Sequence, residues 1–244
     1  MEARRRTAMK AGAERFFRTS DYWKAWSAVP DLTPDIGYAL RAVRPSDRRV
    51  LDVPCGRGRL LKVVRAQAPG AALFGLDVNR EMIAQVRRDL PGAHAQVASV
   101  YAIPFRDRTF DTVLCHESFM HFDDPRGALE ELCRVSSERV YFSVTTRRQL
   151  NTLLRRVGLL GSSDVPHWTY NAEDLQPLLS DAFRWEVHGA FLIGHKVLRL
   201  SHSAHTRLHE RVGRFLPAPL LRKFGQTLFV YGVRRGSPVV RGAR

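Results

Sequence analysis

The stretch Val50-Leu-Asp-Val-Pro-Cys-Gly-Arg-Gly-Arg-Leu60 decides the fold of this protein. Its apolar start, ending at Asp52, is typical of a buried parallel strand, and apolar residues recur at helical spacing from Leu60 onward. Gly56 and Gly58 lie between them, where the missing side chain lets the backbone approach a ligand closely. In a doubly wound sheet such a loop lies at the carboxyl ends of the strands, where ligands bind. The stretch therefore predicts a strand, a ligand-binding loop and a helix.

A second motif ends the next predicted strand, which reads Gly75-Leu-Asp-Val-Asn79. The Asp77 carboxylate can accept hydrogen bonds from both hydroxyls of a ribose, and Val78 can lie against an adenine ring. The alternative interpretation is that Asp77 or Asn79 only caps the following helix. Together with the glycine loop, the motif favours an adenosine-containing ligand.

The glycine loop differs from the loops that bind phosphates. A dinucleotide-binding fingerprint has a third glycine, whose position here is Leu61, and the Gly-Lys-Ser/Thr of a P-loop is absent from the sequence. We therefore expect a ligand that carries ribose and adenine but no phosphate.

The remaining sequence predicts an α/β domain of alternating strands and helices. Helices are expected after the first two strands, after Asp124-Pro125, which is typical of an N-cap followed by proline, and after Asn171. The predicted strands span residues 49–53, 72–78, 96–99, 110–117, 139–145, 185–193 and 227–233. We expect a helical lid segment over residues 1–45, one domain over 46–235 with a helical insertion at about 200–225, and a disordered tail over 236–244.

The charge of the chain is unevenly distributed. With 39 Lys and Arg residues against 24 Asp and Glu residues, its formal net charge is +15. Residues 50–144 hold 12 basic and 12 acidic residues, whereas residues 145–244 hold 16 and 6, so the excess lies in the flanks. A basic flank is either a solvated surface or a contact for an anionic partner such as nucleic acid or a membrane.

The composition excludes several classes of protein. Hydrophobic residues make up 44% and charged residues 26% of the 244 residues, which excludes a disordered or fibrous chain. The three cysteines are too few and too irregularly spaced for a disulfide framework or a zinc site, so we expect no metal and a reducing, cytoplasmic environment. No apolar run approaches the ~20 residues that a transmembrane helix requires.

The motifs together resemble those of class I S-adenosylmethionine-dependent methyltransferases, of the kind found in ubiquinone and menaquinone biosynthesis and in natural-product formation. The resemblance covers about residues 45–145 and includes, besides the two motifs above, Ile103-Pro-Phe105, Phe110-Asp111 and His121-Phe-Asp-Asp-Pro125. It implies an α/β, Rossmann-like, doubly wound sheet of seven strands with the last one antiparallel and with a helical cap insertion. It also implies S-adenosyl-L-methionine as the cofactor.

By this resemblance, residues of the two motifs hold the cofactor. Asp52 and the two glycines would contact its methionine portion, and Asp77 would bind its ribose. The adenine pocket of such enzymes usually has an acid followed by a small apolar residue, where this chain has Ser99 and Val100. A hydroxyl is a weaker acceptor than a carboxylate, so the adenine contact departs from the pattern. The predicted cofactor-binding residues are Asp52, Cys55, Gly56, Gly58, Asp77, Val78, Ser99, Val100, His116 and Tyr22.

A general base is needed only where the acceptor must lose a proton. The candidates are His121, His116, Glu117 and His167. His121 leads because it lies just past the fourth predicted strand and because an imidazole titrates near neutral pH. The alternative for His121 is a role in packing and hydrogen bonding. His167 and Tyr170 are predicted to line the substrate pocket.

The aromatic residues of the N-terminal segment have two interpretations. Tyr22 and Trp23 are expected in a lid over the cofactor, whereas Phe16 and Phe17 are expected on the packing face of an amphipathic helix. Of these residues, only the first pair is therefore predicted to contact the ligand.

The predicted function is methyl transfer to a small-molecule, natural-product or lipid-like acceptor, at oxygen, nitrogen or carbon. The insertion at about 200–225 would cover the acceptor, and its interleaved basic and apolar residues also suit peripheral contact with an anionic membrane. RNA methylation is an alternative prompted by the net charge, although Cys115-His-Glu-Ser-Phe119 stands where base-amino methyltransferases usually carry an Asn/Asp-Pro-Pro-aromatic motif. A non-catalytic cofactor-binding module is a further alternative, which the retention of Gly56, Gly58 and Asp77 opposes.

Overall fold

The computed structural model describes residues 12–19, 35–147, 165–190 and 217–237. Its strands are β1 (Arg49–Asp52), β2 (Ala72–Asp77), β3 (His94–Val97), β4 (Phe110–Cys115), β5 (Ser136–Thr145), β6 (Phe183–Ala190) and β7 (Thr227–Arg234). Its helices are α1 (12–19), α2 (Ile36–Leu40), α3 (Arg59–Gln67), α4 (Arg80–Asp89), α5 (Pro125–Val135), α6 (Ala172–Leu175) and α7 (Ala218–Phe224). Two short 3-10 helices span Phe119–His121 and Gln176–Leu178.

The seven strands form one sheet in the order β3-β2-β1-β4-β5-β7-β6. Strand β7 pairs antiparallel with both β5 and β6, and the other strand pairs are parallel. The order of the strands reverses between β1 and β4, and a doubly wound sheet opens a crevice at the carboxyl ends of the strands at such a point. The predicted Rossmann-like sheet with an antiparallel last strand is confirmed.

The sheet is buried on both faces because its strands alternate between two apolar clusters. Leu51 and Val113 belong to the cluster that contains the inner face of α5, whereas Val50 and Leu114 belong to the cluster that contains the inner faces of α3 and α4. Adjacent residues of a strand point to opposite faces, so a run of apolar residues fills both layers. The helical periodicity of the sequence supplies the covering residues, among them Leu61, Val64, Ile83, Val86, Leu129 and Leu132.

The predicted helix starts depend on local hydrogen bonds. The Asn79 side chain accepts hydrogen bonds from the backbone N–H groups of Glu81 and Met82 at the start of α4. The Asp124 side chain accepts from Gly127 N at the start of α5, and Pro125 occupies the first turn of that helix. Both N-caps satisfy backbone donors that have no partner within the helix.

Several predicted boundaries are wrong by a few residues. β5 begins at Ser136 and not at residue 139, and β6 begins at Phe183 and not at residue 185. β3 lies two residues earlier than predicted, because Ser99 is in a turn where its Oγ accepts from Tyr101 N. β4 ends at Cys115 and not at Glu117, whose φ of 50° turns the chain out of the strand. The helix after Asn171 ends at Leu175, because Pro177 supplies no backbone N–H. The chain continues only as the 3-10 helix Gln176–Leu178.

Parts of the predicted flanks lie outside the described residues, namely residues 1–11, 20–34, 191–216 and 238–244. Of the predicted insertion, the structure describes α7, which exposes 38% of Leu220 and 40% of Phe224 beside Arg222 and Lys223. Among the described residues, no helix combines the length and the apolar character needed to cross a membrane.

Candidate active site

One cavity lies at the carboxyl ends of β2, β1 and β4, where the sheet order reverses. Its volume is about 220 Å³. It is lined by the glycine loop, by residues that follow each of these strands, and by two residues of α1. The predicted site residues Asp52, Cys55, Gly56, Asp77, Val78, Val100, His116 and His121 all line it.

The glycine loop depends on a backbone shape that other residues rarely adopt. Gly56 has a φ of 50° and Gly58 a φ of 78°, both in the left-handed region that glycine tolerates. A Cβ at Gly58 would lie 3.1 Å from the Cγ2 atom of Val86, so this glycine also lets α3 pack closely on α4. Gly56 lines the cavity, whereas Gly58 shapes the start of α3 behind it.

Asp77 connects the glycine loop to the end of β2. Its Oδ2 accepts from Gly56 N at 2.9 Å and its Oδ1 from Asn79 N at 2.9 Å, and the residue is 8% exposed. Burial raises the pKa of Asp77 to about 6, and these backbone N–H groups limit the rise. Asn79, and not Asp77, caps α4, and Asp77 lines the cavity.

Asp52 is a more deeply buried carboxylate at the end of β1. It is 2% exposed, it lines the cavity, and it accepts no hydrogen bond among the described residues. Burial raises the pKa of Asp52 to about 8, although the positive charges of His116 and Arg59 oppose the rise. A ligand cation beside this carboxylate would favour its ionised form.

His116 and Glu117 follow β4 and are held by distant residues. His116 bonds through Nε2 to Asp35 Oδ2 at 3.0 Å and through Nδ1 to the Tyr141 hydroxyl at 2.9 Å. Burial disfavours the charged form of His116, but the hydrogen bond to Asp35 and nearby carboxylates raise its pKa overall. Glu117 pairs with Arg59 at 3.1 Å, and burial raises its pKa to about 7.

This cluster also has the ligand types of a cation site. Ligand atoms of Asp35, His116 and Glu117 lie within 4.8 Å of one another. However, both ring nitrogens of His116 are hydrogen-bonded, and the Arg59 guanidinium already pairs with the Glu117 carboxyl group. We therefore interpret the cluster as a hydrogen-bonding network.

His121 has a defined tautomer because its Nδ1 lies 2.5 Å from the Pro166 carbonyl oxygen. A carbonyl only accepts, so Nδ1 donates and the lone pair of the neutral ring is on Nε2. Burial lowers the pKa of His121, which keeps the ring neutral near pH 7. The ring contacts Phe17 at 5.0 Å and His167 at 5.4 Å between centroids.

Helix α1 forms a wall of the cavity through Glu14 and Phe17. The backbone N–H of Ala13 donates to Asp123 Oδ2 at 2.9 Å, and the Asn79 amide donates to the Phe17 carbonyl at 3.0 Å. The sequence does not predict Glu14 as a site residue, and it predicts packing for Phe17. No local pattern marks either residue, because their position depends on where α1 docks.

The other predicted residues lie around the cavity or outside the described chain. Ser99 does not line the cavity, and its Oγ donates to Glu14 Oε2 at 2.8 Å. His167 touches the ring of His121. Tyr170 packs on Phe119 at 6.0 Å outside the lining. Tyr22 and Trp23 lie outside the described residues. The lining also includes residues that the sequence motifs do not predict, among them Arg57, Arg59, Met82, Tyr101 and Phe122.

Comparison with known proteins agrees with this geometry. Residues 51–144 match a family model described as a methyltransferase domain. A demethylmenaquinone methyltransferase of Thermus thermophilus is 36% identical over 98 residues, which are 38% of this chain and 44% of the relative. An O-methyltransferase of Aspergillus nomiae is 35% identical over 114 residues, which are 44% of this chain and 49% of the relative. The chain thus spans less than half the length of these two relatives.

A solved structure shares the fold over almost the whole chain. The plantazolicin methyltransferase BamL, crystallised with a triazolic desmethylPZN analog and SAH, aligns with a TM-score of 0.64 and 16% identity. The alignment covers 95% of this chain and 97% of that one. Residues 51–144 of this chain thus match a methyltransferase domain, and the sheet has the fold of a solved methyltransferase. Both findings agree with the S-adenosylmethionine-dependent type that the sequence motifs predict.

Proposed function

We propose that this protein transfers the methyl group of S-adenosylmethionine to a small-molecule acceptor, with His121 as the general base. One observation carries the proposal: the buried carboxylates of Asp52 and Asp77, the glycine loop and the neutral imidazole of His121 line a single cavity. Groups that suit the cofactor and a group that can take a proton therefore meet in one place.

The cavity residues fit the parts of the cofactor. Asp77, whose carboxylate reaches the cavity, would accept hydrogen bonds from the ribose hydroxyls. Asp52, buried without a hydrogen bond among the described residues, would be paired with the ammonium group of the methionine portion. Val78 and Val100 supply apolar surface for the adenine ring. Burial raises the pKa of Asp52 to about 8, and an ammonium group beside this carboxyl would favour its ionised form and offset the effect of burial.

The role of His121 follows from its tautomer. When bound, S-adenosylmethionine supplies an electrophilic methyl group on a positively charged sulfur. The chain then has to orient the acceptor, exclude water and take the acceptor's proton. His121 holds its own proton on Nδ1 against the Pro166 carbonyl, so Nε2 is the atom that would receive the proton from an acceptor hydroxyl or amine.

The mainly apolar walls of the cavity support a small acceptor. Helix α1 covers one side through Phe17, and Phe122 lines another part of the wall. Two relatives are named for a demethylmenaquinone substrate and for O-methylation. These features favour a natural-product or lipid-like acceptor that presents a hydroxyl group to His121.

RNA methylation is the second candidate, and the net charge of +15 is the observation that favours it. Binding through phosphates would be steep in salt, because each neutralised phosphate releases counterions. RNA binding can be measured by fluorescence anisotropy at several salt concentrations. Tight and strongly salt-dependent binding would favour RNA over a small molecule as the acceptor.

Cofactor binding is tested by calorimetry with S-adenosylhomocysteine on purified protein. Asp77→Ala is expected to weaken binding by about 100-fold or more, because at least one charge-assisted hydrogen bond and the anchor of the glycine loop are lost. Asp89→Asn is the matched control, since Asp89 is on α4, pairs with Lys62 at 3.3 Å and does not line the cavity. Equal affinity in the folded Asp77→Ala variant and the wild type would overturn the assignment.

Turnover is tested with a panel of phenols, quinols and amines, using mass spectrometry to detect a methylated product. Formation of S-adenosylhomocysteine that depends on an added acceptor supports the proposal. Tight cofactor binding with no turnover of any acceptor class, RNA included, favours the non-catalytic module instead.

A further inference from the structure

We propose that Glu14 of α1 recognises the amino group of the cofactor's adenine ring, and that Ser99 is a positioning residue that acts through Glu14. The proposal rests on the proposed function, because it assigns a contact to the same cofactor. It also gives α1 a part in ligand selection beyond covering the cavity.

The apolar end of the cavity lies next to Asp77. Val78, Met82, Ala98 and Val100 line it, and they come from the ends of β2 and β3 and from α4. A flat aromatic ring suits such a slot, but apolar side chains do not distinguish one base from another. Discrimination therefore depends on a polar group at the edge of the slot.

Ser99 is not that polar group. Its hydroxyl has one donor, which is used on Glu14 Oε2 at 2.8 Å, and its Oγ already accepts from Tyr101 N at 3.2 Å. Ser99 does not line the cavity, whereas Glu14 does. The side chain that reaches the cavity from this position is thus the carboxylate that Ser99 holds.

Ser99 and the docking of α1 hold Glu14 in place. Its Oε1 also pairs with Arg18 Nη2 at 2.5 Å, one helical turn further on, but Arg18 is half exposed and such a surface pair contributes little. The bond from Ala13 N to Asp123 and the bond from Asn79 to the Phe17 carbonyl hold α1 against the cavity wall. A carboxylate has about four lone-pair positions, so the contacts to Ser99 and Arg18 leave acceptor capacity.

The chemistry of this acceptor selects an amino group. An ionised carboxylate accepts hydrogen bonds and donates none, so it attracts the exocyclic amino group of adenine and repels an oxo group at the same place. Hypoxanthine carries an oxo group in place of this amino group and a hydrogen on N1. The change in the ratio of the two affinities when Glu14 is substituted therefore reports on the Glu14 contact, since other contacts to N1 stay the same.

The experiment measures Kd values by calorimetry for S-adenosylhomocysteine and for S-inosylhomocysteine, in which an oxo group replaces the amino group. The wild type is expected to favour the adenine compound by roughly 10- to 100-fold, as for a hydrogen bond to a charged group. In Glu14→Gln the ratio is expected to fall to within about threefold, because an amide can accept from adenine or donate to hypoxanthine.

Two further variants separate recognition from helix stability. Arg18→Gln removes the same ion pair within α1 but leaves the Glu14 carboxylate, so its ratio should equal that of the wild type. Ser99→Ala leaves the sequence of α1 intact and should lower the ratio by about threefold or more, because a carboxylate without its neutral hydrogen-bond donor is less well placed.

The outcomes distinguish this inference from the proposed function. If the wild type binds S-adenosylhomocysteine tightly and the ratio is unchanged in both Glu14→Gln and Ser99→Ala, the inference is overturned while the function stands. If the wild type binds neither compound, the proposed function itself fails. If Arg18→Gln lowers the ratio of the two affinities as much as Glu14→Gln does, a loss of helix stability explains both results. The inference is then overturned.

Discussion

The β2 side and the β4 side of the cavity are held by different kinds of contact. On the β2 side, the Asp77 carboxylate bonds to the backbone of Gly56 and Asn79, which are 21 and 2 residues away in sequence. On the β4 side, His121 bonds to Pro166, which is 45 residues away. A local motif supplies the contacts of Asp77, whereas the contact of His121 requires the assembled fold.

The network around His116 extends the same contrast. Its partner Asp35 is 81 residues away and its partner Tyr141 is 25 residues away. The β2 side suits a ligand that is common to many enzymes, because a short motif is enough to build its binding site. The β4 side faces the acceptor in the proposed function, and side chains from several segments can vary there without altering the cofactor site.

The largest effect predicted from this contrast is on turnover through the β4 side. His121→Asn retains a donor near the position of Nδ1 but has no basic nitrogen, so kcat is expected to fall by about 10²- to 10⁴-fold. The Kd for S-adenosylhomocysteine should stay within about twofold, because the β2 side is unchanged. Steady-state kinetics and calorimetry on one preparation provide both numbers.

The pH profile and a control variant sharpen this test. His121 acts only when neutral, so wild-type kcat should rise with pH through a pKa below the ordinary value of about 6.5 for histidine, since burial lowers it. His94→Asn changes a histidine of β3 that does not line the cavity, and should leave kcat unchanged. A profile that rises at about pH 7 and disappears in Glu117→Gln would assign the base to Glu117 instead.

A smaller effect is predicted for the pH dependence of cofactor binding through Asp52. Its pKa of about 8 leaves the carboxyl protonated at pH 6.5, and pairing with an ammonium group requires the ionised form. Affinity for S-adenosylhomocysteine should therefore rise by up to about tenfold per pH unit between pH 6.5 and 8 and level off above that. Calorimetry as a function of pH measures this slope.

Asp52→Asn should remove most of that slope, because an amide does not ionise in this range. Asp89→Asn should show the wild-type slope. The same steep rise in Asp52→Asn would mean that another group binds the ammonium, and the β1 carboxylate would lose its proposed role.

The smallest effect is predicted for the backbone of the glycine loop. Gly58→Ala places a Cβ at a φ of 78° and 3.1 Å from Val86, so it should lower the free energy of unfolding by about 1–3 kcal/mol. Gly92→Ala is the matched control, because its φ of 86° is similar but its Cβ would meet no atom within 4 Å. Urea unfolding of both variants separates backbone strain from packing, and equal losses would exclude a packing role for Gly58.

Much of the fold followed from the sequence because its signals are local. The apolar run before Asp52, the N-cap at Asp124 and the helical spacing from Leu60 each specify an element within about a dozen residues. The predicted ends of β3 and β4 were wrong, because a turn at Ser99 and the left-handed backbone of Glu117 depend on contacts to other segments.

The sequence by itself determined the sheet, the glycine loop and the carboxylates at the ends of β1 and β2, since strand, loop and helix follow one another directly and parallel strands end at one edge. Only the tertiary structure decided that Glu14 reaches Ser99 across 85 residues and that Pro166 orients His121. The physical reason is that these hydrogen bonds depend on how separate segments dock. Neither residue periodicity nor a short motif specifies docking.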